Sequence, residues 1–593
     1  MSADPHVEYT RLLHQRRAAM QSLDRAHILV GNLRLVIAVS AATLLFLAPV
    51  EWLALPALAF TGLAIYHSRL LRGRARARRA MAVYERGLAR MEDRWIGLGE
   101  SGAAFLAAEH PYASDLDIFG KGSLFELLSL ARTPGGEETL AAWLSAPAPV
   151  AEIRARQAAI DELRARVDFR EDLAVLGEDI RSELRPAALA EWAASPPLLK
   201  SLGVRWLAFA LSLAAIGAAA WWGWHGSRIA FVAVVALEAM LWWPLRGKIE
   251  RVIESCGGAS KDVQLLAEIL ERIEREEFTS PKLRGLRAML NAKRKPPSAQ
   301  IRRLRLLMDL LDSSRNPFMK PVAPVLMWET QIAFAIEAWR ALCGPAVGRW
   351  LTAIGEIEAL ASLAGYAYEN PADPFPEIVE EGGPLFEGES LGHPLIPRGK
   401  MVRNPVSLSL EAPLLVVSGS NMSGKSTLMR TIGVNAVLAM AGAPVRAASL
   451  RMSPVQTGAS IRTVDSLHGG SSRFYSEITR LRLIAGMARE AAGKVAPPVL
   501  FLLDELLHGT NSHDRLAGGE GIVKGLAALG AIGLVTTHDL ALAQIGGTIA
   551  GARNVHFEDY LENGRMRFDY KMRPGVVTRS NAMELMRSIG LIE

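Results

Sequence analysis

Cysteine is nearly absent from this chain of 593 residues, which contains only Cys256 and Cys343. The two cysteines are far apart and neither belongs to a C-x-x-C pattern, so the sequence supports neither a disulfide framework nor a zinc site. The first 30 residues also lack a short apolar core before a cleavage site, and we therefore expect no secretory signal peptide. These features are typical of domains that fold in a reducing cytoplasm.

A strong charge of one sign is also missing. The formal net charge is +6, which is modest for this length, so local basic clusters say more about binding partners than the total does. Hydrophobic residues make up 50% of the chain, a high share for a soluble enzyme, and this indicates membrane segments. The length predicts several domains, because a domain usually has roughly 100–200 residues.

The first long apolar stretch, residues 35–66, contains a single charged residue, Glu51. A spanning helix needs about 20 apolar residues, and this stretch is too long for one straight helix. We therefore predict two helices, at roughly 33–50 and 52–68, that turn at Pro49-Val50-Glu51. Arginines flank the pair on both sides, which is typical of the cytoplasmic side of a membrane. A buried hairpin of a soluble domain is the alternative.

A second apolar pair follows the same plan. Residues 206–224 carry no charge, and residues 229–245 carry only Glu238, to which we assign no role. Tryptophans lie near the span ends and basic residues lie outside them, as in membrane proteins. We predict a second hairpin at about 206–245, hence four spans in the cytoplasmic membrane, with both chain ends in the cytoplasm.

The rest of the chain separates into helical and mixed parts. Residues 1–110 are expected to form a helical region around the first hairpin, and residues 111–375 a helical domain that the second hairpin interrupts, because apolar residues recur there every three or four positions. After a proline-rich boundary, residues 376–593 alternate strands with helices, as in a nucleotide-binding α/β domain. The predicted fold class is therefore multidomain, α plus α/β.

A basic block at residues 282–305 contains no acidic residue. Such a block suits the phosphates of nucleic acid or of anionic lipids, and a solvated helix face is an equal alternative. The candidate phosphate contacts are Lys293, Arg294, Lys295, Arg302 and Arg303.

Residues 414–427, LLVVSGSNMSGKST, predict a buried strand, a glycine loop and the start of a helix. The loop fits G-x-x-x-x-G-K-[ST], in which glycines let successive backbone N–H groups approach phosphates. Lys425 is expected to reach the β- and γ-phosphates of ATP and Ser426 to ligate Mg²⁺. The predicted nucleotide-binding residues here are Gly419, Ser420, Asn421, Met422, Ser423, Gly424, Lys425, Ser426 and Thr427.

Two later strands carry further candidates. Residues 499–505, VLFLLDE, end in two carboxylates, so we expect Asp504 to hold Mg²⁺ and Glu505 to act as the general base. The strand at 532–536 leads to His538, which can sense or polarise the γ-phosphate. Transporter-type cassettes place an LSGGQ signature before the first of these strands, whereas the nearest match here, residues 516–520, follows it.

Taken together, these motifs resemble the MutS family of mismatch-repair ATPases. The resemblance is carried by SGSNMSGKSTLMR in the P-loop, by GGSSRFYSE at 469–477, by DELLHGTNSHDR at 504–515, by TTHD and by the tail at 575–583. It extends over roughly residues 111–205 and 246–593. It implies a homodimer with composite sites, in which Ser472 reaches the nucleotide of the partner subunit.

The chain also departs from the family's pattern. Residues 1–110 hold a hairpin in place of the domain that reads mismatches, and no connector domain is evident. The aromatic residue that stacks on adenine in the family, expected shortly before Asn404, is not evident, and Val402 stands nearby. The sequence thus predicts a membrane-associated ATPase that binds DNA in repair or recombination. The alternatives are an ATP-driven transport or membrane-remodelling protein, which binds no DNA, and a slowly hydrolysing repair scaffold.

Overall fold

The computed structural model of the protein forms two compact units. The first contains Met1–Leu130, Glu138–Val167 and Leu360–Glu593, and the second contains Ala131–Glu137 and Asp168–Ala359. The residues that the structure describes are 4–47, 49–177, 186–256, 260–290, 296–314, 316–317, 319–420, 422–461, 473–507, 512–538, 547–562 and 565–577.

Helices make up most of the chain before residue 370. Together with those of the C-terminal part, the helices are α1 (Pro5–Leu47), α2 (Ala54–Met91), α3 (Leu124–Leu128), α4 (Pro134–Ser145), α5 (Val150–Arg164), α6 (Val167–Gly177), α7 (Pro186–Ala194), α8 (Leu202–His225), α9 (Ile229–Trp242), α10 (Arg246–Cys256), α11 (Ser260–Glu274), α12 (Pro281–Met289), α13 (Pro297–Ser313), α14 (Trp328–Glu369), α15 (Lys425–Ala441), α16 (Arg473–Ala492) and α17 (Ser512–Ala528).

All strands of the described residues lie in the C-terminal part, in two sheets. One sheet has the order β1-β5-β2-β3 and the other β10-β9-β4-β8-β7-β6. The strands are β1 (Glu377–Ile378), β2 (Leu385–Leu391), β3 (Asn404–Ser409), β4 (Leu414–Ser418), β5 (Ser449–Met452), β6 (Gln456–Ser460), β7 (Val499–Asp504), β8 (Ile532–Thr537), β9 (Arg553–Glu562) and β10 (Arg565–Pro574). The predicted mixture of helical and α/β parts is confirmed.

The first hairpin turns where the sequence predicts, through a single 3-10 turn at Val50–Leu53. Its helices are much longer than predicted, with 43 residues in α1 and 38 in α2. The helices continue because polar and aromatic residues beyond the apolar stretch pair across the hairpin. The rings of Tyr9 and Tyr84 lie 5.4 Å apart, and Arg17 contacts Glu85 at 2.9 Å.

Among the described residues, two helices are long and apolar enough to cross a membrane. They are α1 and residues Gly203–His225 of α8, and a third span results only if α9 and Arg246–Ser255, which meet at 69°, count as one. Helix α2 is not among the helices that meet this criterion. Two of the four predicted spans thus meet this criterion, or three with the bent pair, and insertion in a membrane stays a prediction.

A buried carboxylate marks the second unit. Glu358 on α14 accepts hydrogen bonds from the backbone N–H groups of Arg132 and Thr133, both at 3.3 Å, and from the Thr133 hydroxyl. Burial raises the pKa of Glu358 to about 7, against the opposing effect of these donors and of the Arg132 charge. The carboxyl group thus joins α14 to the segment that begins α4.

The larger sheet positions the candidate site. Strand β4 runs parallel to β8, and β8 runs parallel to β7, so the carboxyl ends of all three lie at one edge. Every residue of β4 is buried, as are the apolar residues of β7. Such continuous apolar strands are typical of a parallel sheet covered on both faces. The predicted strands at 414–417, 499–505 and 532–536 are confirmed to within one residue.

Candidate nucleotide site

The strand edge brings three predicted segments together. Gly419 follows β4, Asp504 ends β7, and His538 follows β8. In register, Ser418 pairs with Thr537, and Asp504 pairs with Thr536. Residues far apart in the sequence are therefore neighbours because parallel strands end at the same edge.

The glycine loop has the backbone conformations that require glycine. Gly424 has φ 108° and Gly419 has φ 149°, and Met422 between them also has a positive φ of 69°. A Cβ atom on Gly419 would lie 2.9 Å from the Ser423 hydroxyl oxygen, so the loop has no room for a side chain there. Backbone conformation and lack of space therefore explain why glycine occupies both motif positions, as the spacing predicts.

Lys425 begins α15 and points back into the loop. Its ammonium donates hydrogen bonds to the carbonyl oxygens of Gly419 at 2.7 Å and Ser420 at 2.9 Å. Burial lowers the pKa of Lys425, and the negative charges of Glu505 and Asp504 act in the opposite direction. The chain thus holds a largely buried ammonium beside the loop, where the sequence predicts a phosphate.

A hydroxyl and a carboxylate meet next to this lysine. The Ser426 hydroxyl donates to Asp504 Oδ2 at 2.6 Å, and the Thr536 hydroxyl donates to Asp504 Oδ1. The two residues predicted to hold Mg²⁺ are thus in direct contact, although 78 positions separate them in the sequence. Hydroxyl and carboxylate oxygens are the protein ligands that Mg²⁺ uses in phosphate sites.

Glu505 and His538 form a carboxylate–imidazole pair at the same strand edge. His538 Nδ1 lies 3.2 Å from Glu505 Oε1. The backbone N–H of Glu505 donates to the Thr536 carbonyl oxygen at 3.3 Å, and its φ is +47°. Glu505 therefore leaves the extended conformation of β7, and such strained residues concentrate at functional sites.

One cavity of about 790 Å³ is lined by six of the predicted residues. Its size suits a small-molecule ligand. The predicted residues that line the cavity are Met422, Gly424, Lys425, Ser426, Thr427 and Glu505.

Two aromatic side chains in this cavity were missed by the sequence reasoning. Phe568 and Tyr570 on β10 line it, with ring centroids 6.0 Å apart in a stacked arrangement. A Cβ atom on Gly424 would lie 3.1 Å from the Tyr570 ring, so this ring covers the loop. Both rings lie on β10, whereas the family resemblance places the expected aromatic residue shortly before Asn404. The alternation of Tyr560, Phe568 and Tyr570 in the late hairpin was the available signal.

Asn404 fixes the position of this aromatic pair. Its side-chain amide donates to the Tyr570 carbonyl oxygen at 3.0 Å and accepts from the Met572 N–H at 2.8 Å. Tyr570 has φ +56° and lies in the irregular register between Phe568 and Met572. The bulge turns the ring toward the cavity, as β-bulges commonly re-aim side chains near sites.

The first four residues of the GGSSRFYSE segment, including Ser472, lie outside the described residues. Asn421 of the glycine loop lies outside them as well. The last residue of the segment, Glu477, is buried on α16 and accepts the Leu507 N–H at 2.6 Å. Leu507 follows the two carboxylates of the site and has φ +55°. Glu477 thus supports the loop after β7, and the role of Ser472 stays a prediction.

The basic residues of the block at 282–305 differ in the side chains that surround them. Lys282 contacts Glu356 at 2.7 Å and Arg302 contacts Glu271 at 2.6 Å, whereas Arg303 is exposed. Carboxylates from other helices therefore accompany a block that has no acid of its own. Lys293, Arg294 and Lys295 lie outside the described residues, and the phosphate contacts stay a prediction.

Known proteins resemble the part of the chain that carries this site. The family described as MutS domain V matches residues 415–593. The DNA mismatch repair protein MutS of Shouchella clausii is 31% identical over 245 residues, which are 40% of this chain and 27% of that protein. The DNA mismatch repair protein MutS 2 of Halobacterium salinarum is 33% identical over 253 residues, 41% of this chain and 27% of its own length.

A third relative, the DNA mismatch repair protein MutS 2 of Haloarcula marismortui, is 36% identical over 184 residues, 30% of this chain and 18% of that protein. The chain thus spans about a quarter of the length of these curated relatives, or less. The expected family resemblance is confirmed. The match covers residues 415–593, and this part of the chain is similar to MutS domain V.

Proposed function

We propose that the protein is a membrane-associated MutS-like ATPase that binds ATP with Mg²⁺, hydrolyses it as a homodimer and acts on DNA in repair or recombination. The proposal keeps the three-part organisation expected from the sequence, at 1–110, 111–375 and 376–593. The observation that carries it is the contact of Ser426 with Asp504 beside Lys425, at the edge where Glu505 meets His538.

The residues of the cavity fit a nucleotide with its metal ion. The hydroxyl oxygens of Ser420 and Ser423 in the glycine loop are buried and have no hydrogen-bond partner among the residues that the structure describes. Buried polar groups without partners are rare, and phosphate oxygens would accept from both hydroxyls. Ser426 and Asp504 would hold Mg²⁺, which neutralises phosphate charge when it is bound.

The roles of the remaining residues follow from their chemistry. Lys425 offsets negative charge on the phosphates, and its buried position strengthens that interaction relative to water. Glu505 accepts the proton of the attacking water as general base. His538 Nδ1, 3.2 Å from the Glu505 carboxylate, orients that carboxylate from the neighbouring strand. Phe568 and Tyr570 offer aromatic faces to the adenine base in the same cavity.

A binding experiment tests the nucleotide site. Lys425→Ala should weaken the equilibrium binding of a fluorescent ATP analogue by about 10- to 100-fold, since charge-assisted contacts are lost. Lys494→Ala, an exposed lysine of the same unit, is the matched control and should bind normally. Equal affinities for the two variants would remove Lys425 from the site.

A mixing experiment tests the dimer. Lys425→Ala and Ser472→Ala chains, each inactive alone, are combined so that mixed dimers hold one intact composite site. Recovered turnover supports the transfer of Ser472 to the partner's nucleotide. Confirmed heterodimers that show no activity at any ratio would mean that Ser472 acts within its own chain.

The DNA and membrane parts of the proposal have separate support. The relatives are each named as DNA mismatch repair proteins, and the basic block offers phosphate contacts through residues such as Arg303. The apolar helices α1 and α8 support membrane association. Binding of branched, mismatched and fully paired duplexes, measured with and without ATP, tests the DNA part, and absence of binding to all three would reject it.

A further inference from the structure

A second cavity, of about 680 Å³, lies in the second unit between α9 and the segment that leads into α14. Segment residues Ala323, Pro324 and Met327 form apolar walls, and Trp242 and Trp328 add two indole rings. Ser212 on α8 donates to the Leu326 carbonyl oxygen at 2.9 Å, which ties this segment to the second hairpin. The volume lies within the range of small-ligand sites.

One charged side chain of α9 points into this cavity. Glu238 is the only charged residue of α9 and is only 4% exposed, whereas its neighbours Leu237 and Met240 face outward. Its Oε1 atom is buried and has no hydrogen-bond partner among the described residues. An unpartnered buried carboxylate oxygen is costly, so a donor is expected to reach it.

The nearby protein donors with defined contacts are already engaged. The Trp328 indole N–H donates to the Leu310 carbonyl oxygen at 2.8 Å. The Ser314 hydroxyl lies 2.7 Å from the Leu311 carbonyl oxygen and 3.3 Å from Glu329 Oε1. A metal ion is also not indicated, because the described residues contain no group of three candidate metal ligands. None of these groups donates to Glu238 Oε1, so the cavity leaves this oxygen open to a donor from a bound molecule.

The charges around the cavity restrict what that molecule is. Glu238 calls for a cation that donates hydrogen bonds, and indole faces such as Trp242 attract cations as well. Lys320, exposed at the cavity, offers a positive charge to an anion. The outward apolar side chains of α9, including Val232 and Met240, suit hydrocarbon chains. The ligand thus combines an ammonium, an anion and an apolar tail.

We infer that this cavity binds the head group of a phospholipid with a primary ammonium, placing the ammonium at Glu238 and the phosphate at Lys320. The inference rests on the proposed membrane association, since the lipid reaches α9 from the bilayer. A quaternary ammonium has no N–H and leaves the Glu238 oxygen without a donor. Phosphatidylethanolamine should therefore bind more tightly than phosphatidylcholine, although both carry the same phosphate.

The test titrates the full chain in detergent with dihexanoyl phosphatidylethanolamine and with dihexanoyl phosphatidylcholine, and counts lipid adducts by native mass spectrometry. The ethanolamine lipid should bind about tenfold more tightly or better, as one charge-assisted contact predicts. Glu238→Gln should abolish that preference. Lys320→Ala should weaken both lipids alike, and Glu250→Gln, an exposed carboxylate on the next helix, should change neither.

The outcomes separate this inference from the proposed function. Equal affinities of the unaltered chain for the two lipids would overturn the inference and mean that Glu238 is simply protonated. A preference that persists in Glu238→Gln would overturn it too. If Glu238→Gln does not fold, the lipid comparison on the unaltered chain and on Lys320→Ala still decides. Recovery of the chain without detergent would reject membrane association, and the water-soluble lipids test the head-group preference even then.

Discussion

The strands of the large sheet and the second half of α1 are both rich in apolar residues, but the strand side chains are buried and many of the helix side chains are exposed. Leu502 in β7 is 0% exposed, whereas Leu47 at the end of α1 is 78% exposed and Phe46 is 84% exposed. The strand side chains are covered by helices of the same domain, so their apolar character stabilises the fold directly. The helix side chains have no such cover within the described residues. Their exposure supports the membrane association proposed above.

The largest expected difference in stability lies between two leucine-to-alanine substitutions, one in each region. Leu502→Ala removes a buried side chain and should cost about 2–5 kcal/mol, which lowers the thermal unfolding midpoint by roughly 5 °C or more. Leu47→Ala removes an exposed one and should stay within about 0.5 kcal/mol. Both are measured by scanning calorimetry on the full chain in detergent. Equal effects would erase the distinction between the two regions.

A charge in the exposed helix tests the membrane directly. Val39→Arg places a charge in the apolar part of α1, which costs about 2.5–3.5 kcal/mol in a bilayer. The share of protein in the membrane fraction should fall. Val7→Arg changes an equally exposed valine at the polar base of the same helix, and it should partition like the unaltered chain. Identical partitioning of the two variants would argue against insertion of α1.

The sequence predicted the strand ends better than the helix lengths for physical reasons. The P-loop, Asp504, Glu505 and His538 follow buried strands, and parallel pairing alone brings strand ends together. No such constraint ends a helix where its apolar stretch ends. The charged continuations of α1 and α2 stay helical because they pair with each other, as Arg74 does with Asp24 at 2.6 Å. Such pairing between distant residues cannot be read from local composition.

The aromatic lining of the cavity shows the same limit. Tyr570 reaches the glycine loop through a bulge that Asn404 holds from another strand. Neither Asn404 nor Tyr570 belongs to a sequence motif, and the hydrogen bond between them joins residues that are 166 positions apart. Likewise, the carboxylates beside the basic block come from α11 and α14, outside the block itself. Sequence patterns indicate chemistry well where the chain is continuous, and less well where tertiary contacts decide.

The pH dependence of stability should reveal the buried carboxyl of the second unit. Because burial raises the pKa of Glu358 to about 7, the folded chain holds a proton there that the unfolded chain loses near its ordinary value. The contribution is fully present below about pH 4.5 and is lost as the pH rises toward 7, by roughly 1–3 kcal/mol. Glu358→Gln should flatten this dependence in calorimetry from pH 4.5 to 7.5. Glu254→Gln, which is exposed, should retain it.

The smallest expected effect concerns the basic surface. If Arg303 contacts a phosphate, Arg303→Ala should reduce the slope of log affinity against log salt by about one for every duplex tested. Arg349→Ala, an exposed arginine outside the block, is the control and should leave the slope unchanged. A slope that is the same in both variants would remove Arg303 from the DNA surface.

Glu505→Gln is the sharpest test of the proposal that residues at the sheet edge hydrolyse ATP. The variant keeps the size of the side chain and loses the base, so turnover should fall by about 10²- to 10⁴-fold while bound ATP is retained. Both quantities are measured on the same sample with radiolabelled ATP, beside Glu490→Gln, an exposed glutamate of the same unit. Retained ATP with lost turnover is the predicted result. Turnover equal to that of Glu490→Gln would contradict the account.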